Sequence, residues 1–263
     1  MMLLKAVVYA VLAYLLIPLV VIVLFSFNAE QSFSFPINGY SFRWYALIFQ
    51  DPQLGQALVK SLMIATATAI VTLVLGTAAS LAWLRLGRFG RSVLEILCIT
   101  PIALPGLFLG VSLLVLAAQL GVRLSMVTIV VSHVVLSVPM LMIAMRARLA
   151  LFDRTLEEAS RDLGASQIGT FRRITLPLIA PTLISCAILS FALSFDEFVV
   201  TSFVAGTETT LPMYIWSMMR RTVTPLINSI STLALLFSVM IMAIGFVVGR
   251  FKRASALSDR ASS

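Results

Sequence analysis

Long uncharged apolar runs alternate with charged links along the chain. The runs are Ala6–Phe27, Ser61–Leu84, Ile96–Val122, Leu124–Met145, Ile174–Phe195 and Thr222–Gly249, and the fifth continues past Asp196 and Glu197 to Gly206. About 20 apolar residues cross a bilayer as a helix, and every run is long enough. Lipid offers no partner to a backbone amide, so only helices or a closed barrel span it. Barrel strands alternate in polarity, whereas these runs are continuous. The pattern predicts an all-α integral membrane protein with six transmembrane helices in one domain over residues 1–263, the helices at about 6–27, 61–84, 95–119, 124–145, 178–204 and 224–249. The first run exceeds the roughly 7–15 residues of a secretory signal core, and no small-residue cleavage site follows it. It is expected to remain as helix one.

Composition agrees with that pattern. Of 263 residues, 60% are hydrophobic and 11% charged, against about 25% charged in a soluble domain. An ordinary soluble enzyme is excluded. The net charge of +8 would elsewhere point to nucleic acid, so its placement matters. With a cytoplasmic N-terminus, that side holds Lys5, Arg85, Arg88, Arg91, Arg146, Arg148, Arg154, Arg161, Arg172, Arg173, Arg250, Lys252, Arg253 and Arg260, which is 14 of the 19 cations. Arg43, Lys60, Arg123, Arg220 and Arg221 lie opposite. The excess of Lys and Arg on cytoplasmic loops therefore places both termini inside. The charge records topology and attraction to anionic headgroups of the bilayer, and no nucleic acid is required.

Chemistry-bearing motifs are few. Cys98 and Cys186 lie within or at the edge of apolar runs, so no disulfide framework is expected. His133 has no Cys or carboxylate at metal-ligand spacing and reads as a hydrogen-bonded bundle histidine. There is no GxxxxGK[ST] loop, GxSxG elbow or HExxH. The chain is expected to hydrolyse nothing itself and to carry no cofactor or metal.

The link between helices four and five, residues 146–177, is far longer than neighbouring helices need. Thr155-Leu156-Glu157-Glu158 reads as a capping box, with Thr155 capping a backbone N–H and Glu158 reaching back. Gly164 stands where a short helix needs its left-handed terminal residue. A helix at Leu156–Leu163, presenting Glu157, Glu158, Arg161 and Asp162, is too short to be stable alone. Ser166 can cap a second short helix, which Pro177 should close before helix five.

These residues resemble a family pattern. Membrane subunits of binding-protein-dependent ABC importers carry, in this loop, Glu-Ala-Ala, three residues, Gly, nine residues and Ile-x-Leu-Pro. Here the chain reads Glu158-Ala159-Ser160, three residues, Gly164, nine residues, Ile174-Thr175-Leu176-Pro177. The one departure is Ser for the second Ala. The resemblance implies a type I ABC importer permease fold whose short helix docks into a separate ATP-hydrolysing subunit. Glu158, Ala159 and Gly164 would make that contact with Leu163 as apolar anchor, and Glu157, Ser160, Ile174, Leu176 and Pro177 complete the segment. It further implies a second homologous permease, two ATPase subunits holding the ATP and Mg, and a periplasmic substrate-binding protein at an inner membrane.

Trp44-Tyr45, Ser137-Val138-Pro139, Ser194-Phe195-Asp196-Glu197, Thr210-Leu211-Pro212, Tyr214-Ile215-Trp216-Ser217-Met218 and Thr224-Pro225-Leu226-Ile227-Asn228 are similar to the spermidine/putrescine branch. Related permeases move iron chelates and aminophosphonates, so the cargo stays open among these. A channel or carrier without ATP is the rival from another class, and it would not need the Glu158–Pro177 motif.

Asp196 and Glu197 are the acids deep within a predicted span, and intramembrane carboxylates cost about 2.5–3.5 kcal/mol on insertion scales. Helical spacing sets Glu197 on a small, weakly polar stripe with Thr182, Cys186, Ser190, Ser194 and Thr201, and sets Asp196 among apolar residues. Spacing favours Glu197 on a water-filled path; the resemblance favours Asp196. Either would suit a cation, with Phe195 and its neighbours offering aromatic faces. A tie from helix five to a partner subunit is the plainer reading. Pro101, Pro105 and Gly106 interrupt helix three and Pro139 helix four, as hinges or as tolerated bends. Segments 28–60 and 206–221, rich in aromatics and amides, read as interfacial anchors or as a docking face for the binding protein.

Overall fold

The computed structural model describes residues 2–31, 35–153, 155–221, 224–241 and 243. The C-terminal cations Arg250, Lys252, Arg253 and Arg260, the end of the predicted sixth helix and Arg154 lie outside them. The described chain is almost entirely helical, with one isolated bridge between Asn28 and Tyr40. Among the described residues, four helices are long and apolar enough to cross a bilayer: α1 (Met2–Ser26), α3 (Pro52–Arg85), α6 (Met126–Ala150) and a continuous helical stretch over 167–196. A bent pair, α4 (Arg88–Ala103) and α5 (Gly106–Gln119), whose axes meet at 113°, is long and apolar enough only when taken together, as one broken span or as a re-entrant loop. The remaining helices are α2 (Arg43–Ile48), α7 (Thr155–Asp162), α8 (Gln167–Thr170), α9 (Leu176–Asp196), α10 (Val199–Val204), α11 (Leu211–Arg221) and an apolar α12 (Pro225–Ile241).

Contacts divide the chain into two compact units. The first comprises residues 1–59 and 211–240. Its α1 is exposed until Phe25 and Ser26. Ser26 gives its hydroxyl proton to Val23 O (2.6 Å), leaving its oxygen to accept from Tyr45 (2.7 Å). The buried Trp44 donates Nε1–H to Asn28 O at 2.7 Å, and Ser229 Oγ donates to Ser26 O at 2.9 Å. Asp51 accepts the Gln53 and Leu54 amides through Oδ1 (2.9 and 3.2 Å) and the Tyr214 hydroxyl through Oδ2. It thus satisfies amides that the first turn of α3 would leave orphaned.

The second unit comprises residues 60–210 and 241–263. Buried α6 is its axis, and Leu141, Met145 and Leu149 pack with Ile179 and Cys186 of α9. The stripe of Cys186, Ser190 and Ser194 is a buried face of α9, because small residues let helices approach closely. At the arginine-rich ends of α3 and α6, Glu95 Oε1 accepts from Trp83 Nε1 (2.7 Å) and pairs with Arg146 (2.8 Å). The Arg91 and Arg146 guanidiniums lie over the Trp83 ring at 4.7 and 4.3 Å. Arg91 also caps α3 by donating to Trp83 O and Leu84 O at 3.0 Å. Arg148 donates twice to Leu178 O, at 3.1 and 2.7 Å.

One element is interrupted where expected but more sharply than a kink, and two differ from the expectation. Helix three is sharply folded: Leu104 and Pro105 are extended, and Pro105 cannot continue a hydrogen-bond ladder. Helix five breaks at Glu197, whose ψ is 114°. Pro177 closes nothing, since the helix runs on from Gln167 to Asp196. A π-turn at Phe171–Thr175 shifts the register so that Leu176 N–H donates to Phe171 O, five residues back. Pro177 then falls at the first turn of α9, where its missing N–H costs least.

Candidate functional site

The segment between α6 and α9 begins with a cap. Asp153 Oδ1 accepts the Thr155 backbone N–H (3.0 Å) and hydroxyl (2.8 Å), so Asp153 performs the capping expected of Thr155 and α7 starts one residue early. The Thr155 hydroxyl and then its amide hold the Asp153 carboxyl below its ordinary value, against slight desolvation. At the other end Gly164 takes φ +84°. Gly164 N–H donates to Arg161 O (2.8 Å) and Ala165 N–H to Ser160 O (3.1 Å), the two bonds of a Schellman stop.

The two faces of α7 differ. Glu157 turns inward and accepts from the buried Thr175 hydroxyl, and Ser160 Oγ meets Thr170 Oγ1 at 3.1 Å. These bonds fasten α7 to α8 and the π-turn. Glu158, Ala159 and Gly164 are exposed, as is Leu163 at 89%. Leu156, Ala159, Leu163, Ile168 and half-buried Ile174 line one side of an open groove flanked by Arg172 and Arg173. Leu176 packs against the core and Pro177 is exposed. The groove is largely apolar, with Arg172 and Arg173 in its lining.

The second site lies at the end of α9. Asp196, its last residue, is exposed; Phe195 is buried and stacks on Phe191. In an unbroken helix Val200 N–H would serve the Asp196 carbonyl. Here it donates to Glu197 Oε1 at 2.9 Å, so half-buried Glu197 caps α10 with its side chain. The break joins a helix C-terminus to a carboxylate, and both favour a cation.

His133 on α6 spans this break. Its Nδ1 lies 2.7 Å from Ser194 Oγ on α9, and its Nε2 lies 2.8 Å from Thr201 Oγ1 on α10. Thr201 donates its one hydroxyl proton to Glu197 O at 2.8 Å. With a neutral ring, all three contacts are hydrogen bonds at once only when Nε2–H goes to Thr201 and Nδ1 accepts from Ser194. The bonding partners expected for His133 are present, but they stand 61 and 68 residues away, beyond the reach of any local pattern. At the far end of α10, the Thr128 hydroxyl lies 2.8 Å from Val204 O and 2.7 Å from Ser125 O and shares its one proton between them.

The bend of helix three meets the same place. A Cβ on Gly106 would lie 3.6 Å from Val199 Cγ1, and one on Gly110 would lie 2.6 Å from Phe203 Cδ2 and 3.3 Å from Val200 Cα. Gly106 and Gly110 thus sit against α10, immediately after the Glu197 break, while the preceding Pro105 is exposed. Pro101 is inside α4, and Pro139 is buried within α6, which continues through it.

Comparison with known proteins agrees with this architecture. Over 251 residues the chain is 32% identical to the spermidine/putrescine transport system permease protein PotC of Escherichia coli (strain K12), covering 95% of each. Over 230 residues it is 36% identical to the putrescine transport system permease protein PotI of the same strain, covering 84% of this chain and 82% of that one. A crystal structure of a bacterial ABC transporter involved in the import of the acidic polysaccharide alginate contains a chain of the same fold, with TM-score 0.71 and 14% identity, covering 92% of this chain and 94% of that one. Residues 72–256 match the family described as binding-protein-dependent transport system inner membrane component. The chain belongs to that family of membrane permease components, the one its capped, glycine-ended segment resembles.

Proposed function

We propose that this chain is the transmembrane subunit of an ATP-driven importer in a bacterial inner membrane, receiving a polyamine from a periplasmic binding protein and passing it to the cytoplasm. Its partners are a second homologous permease and two ATPase subunits, which hold the ATP and Mg. The observation that carries the reading is 32% identity to PotC over an alignment that covers 95% of both chains, joined to a carboxylate at a helix break. In this reading one membrane domain has six spans with both termini inside, and the groove around Leu163 faces the ATPase.

The mechanism follows from continuity. Closure of the ATPase pair displaces α7 through Glu158, Ala159 and Leu163. Glu157 and Ser160 fasten α7 to the start of a 30-residue helical stretch, so the displacement is carried along it. Asp196 stands at its far end and changes its setting as the stretch moves. An ammonium group is held there by the Asp196 carboxylate and the negative end of α9, with Glu197 holding the break open. Pro105 and Gly106 give where α5 rides on α10.

Uptake of labelled putrescine and spermidine by the whole importer in proteoliposomes tests this. Uptake should require ATP. Asp196→Asn should raise KM about tenfold or more, the scale of one charge-assisted contact, while basal ATP hydrolysis persists. ATP-dependent uptake unchanged in both Asp196→Asn and Glu197→Gln refutes the path, and absence of polyamine uptake by the wild type refutes the cargo.

A further inference from the structure

His133 has no place in the mechanism so far, yet it is 1% exposed inside a predicted span and makes two side-chain bonds. Its partners are as hidden: Ser194 is 6% exposed and Thr201 0%. One bond goes to each side of the Glu197 break. Without the ring, α9 and α10 would be joined there by the two-residue link, by apolar packing and by the bonds of Val200 and Thr201 to Glu197, none of which reaches back to the body of α9. With it, Ser194, His133, Thr201 and Glu197 O form one relay that ends on the backbone of the break itself.

We propose that His133 is a positioning residue: a neutral, Nε2–H imidazole that clips the two halves of the broken helix and thereby sets where Asp196 points. The proposal rests on the reading of Asp196 as a path residue, but the clip is a statement about geometry and is tested without cargo.

The relay assigns directions. With a neutral ring and the Thr201 proton on Glu197 O, Thr201 accepts from Nε2–H and Ser194 donates to Nδ1. A glutamine at 133 reaches as far as Nε2 and restores a donor to Thr201. An asparagine reaches only as far as Nδ1 and restores an acceptor for Ser194. Neither bridges the break, so each should recover part of the function and neither all of it. A purely space-filling role for His133 would instead be met best by an apolar side chain of similar size, such as leucine.

The test uses the complete importer in proteoliposomes, on a Cys98→Ser, Cys186→Ala background. Asp196→Cys provides a thiol at the break, and its rate of modification by a charged methanethiosulfonate reagent reads exposure directly. His133→Leu should change that rate by about three- to tenfold, the loss expected of one or two buried hydrogen bonds. In the chain retaining Asp196, His133→Leu should raise KM for putrescine by a similar factor, with the ATPase rate unchanged. His133→Gln and His133→Asn should fall between. Ser194→Ala with Thr201→Val should reproduce His133→Leu, and adding His133→Leu to that pair should change nothing more; this pair also serves if the histidine variant fails to assemble. An unchanged modification rate, full recovery by leucine, or additive effects would overturn the clip. If the modification rate responds but Asp196→Asn leaves uptake intact, the clip stands and the polyamine path falls.

Discussion

Gly164 shows how one residue type can be required by backbone alone. Nothing lies within 4 Å of a Cβ built there, yet its φ is +84°, a conformation that costs other L residues about 1 kcal/mol. Asparagine tolerates it better than most. Gly164→Ala and Gly164→Asp should therefore fray α7 and lower transport per ATP hydrolysed, with Gly164→Asn closer to wild type. Equal transport-to-hydrolysis ratios in all three would remove the segment from coupling. Asp51 is the opposite case, defined by its partners. Partial burial pushes its carboxyl up, but the Tyr214 hydroxyl and the Leu54 and Gln53 amides outweigh this and leave it below the ordinary 3.8. A depressed carboxyl stabilises the fold above its unfolded pKa and loses that contribution as pH falls through the folded value. Thermal unfolding should thus show no cost of Asp51 between pH 5 and 8, as estimated from ordinary carboxylate values of about 4. Asp51→Ala should cost about 1 kcal/mol at pH 7 through the lost α3 cap, and the gap from wild type should narrow below about pH 4. A gap independent of pH would assign the effect to packing.

Elements were legible to different degrees, for physical reasons. Apolar runs and the short helix between α6 and α9 declare themselves locally, because lipid solvation and capping act within a turn or two. Gly164 marks its helix end for the same reason. The breaks do not. The run around Asp196 is continuous in composition, and what permits its interruption is His133 and Thr128 on a distant helix. Pro177 misleads because the π-turn before it absorbs the missing donor. Proline located the bend of helix three but could not give its 113° angle, which depends on α5 packing along α10. That packing is tight at Gly110, where a Cβ would meet Phe203 Cδ2 at 2.6 Å. Gly110→Ala should destabilise by about 1–3 kcal/mol through overpacking, and Phe203→Leu should recover much of it. Unfolding in detergent measures both, and a stable Gly110→Ala would mean that the two elements separate freely.

At the scale of the molecule, sign and placement of charge determine orientation. With 14 of 19 cations assigned inside, a thiol from Leu163→Cys should react only with reagent admitted to the cytoplasmic side. Thiols from Phe49→Cys and Val122→Cys should react from the outside of intact cells. The reverse pattern would invert the topology and the direction of transport with it. The arginines also have an optical consequence. The chain holds three tryptophans, and each carries a guanidinium over its ring: Arg43 at 4.3 Å on Trp44, Arg220 at 5.6 Å on Trp216, and both Arg91 and Arg146 on Trp83. With Trp44→Phe and Trp216→Phe, the emission of Trp83 comes from an indole with two guanidiniums over its ring and a hydrogen bond to Glu95. Any step of the ATP cycle that parts α4 from α6 changes that surrounding, so the chain reports its own turnover in ultraviolet light with no dye attached.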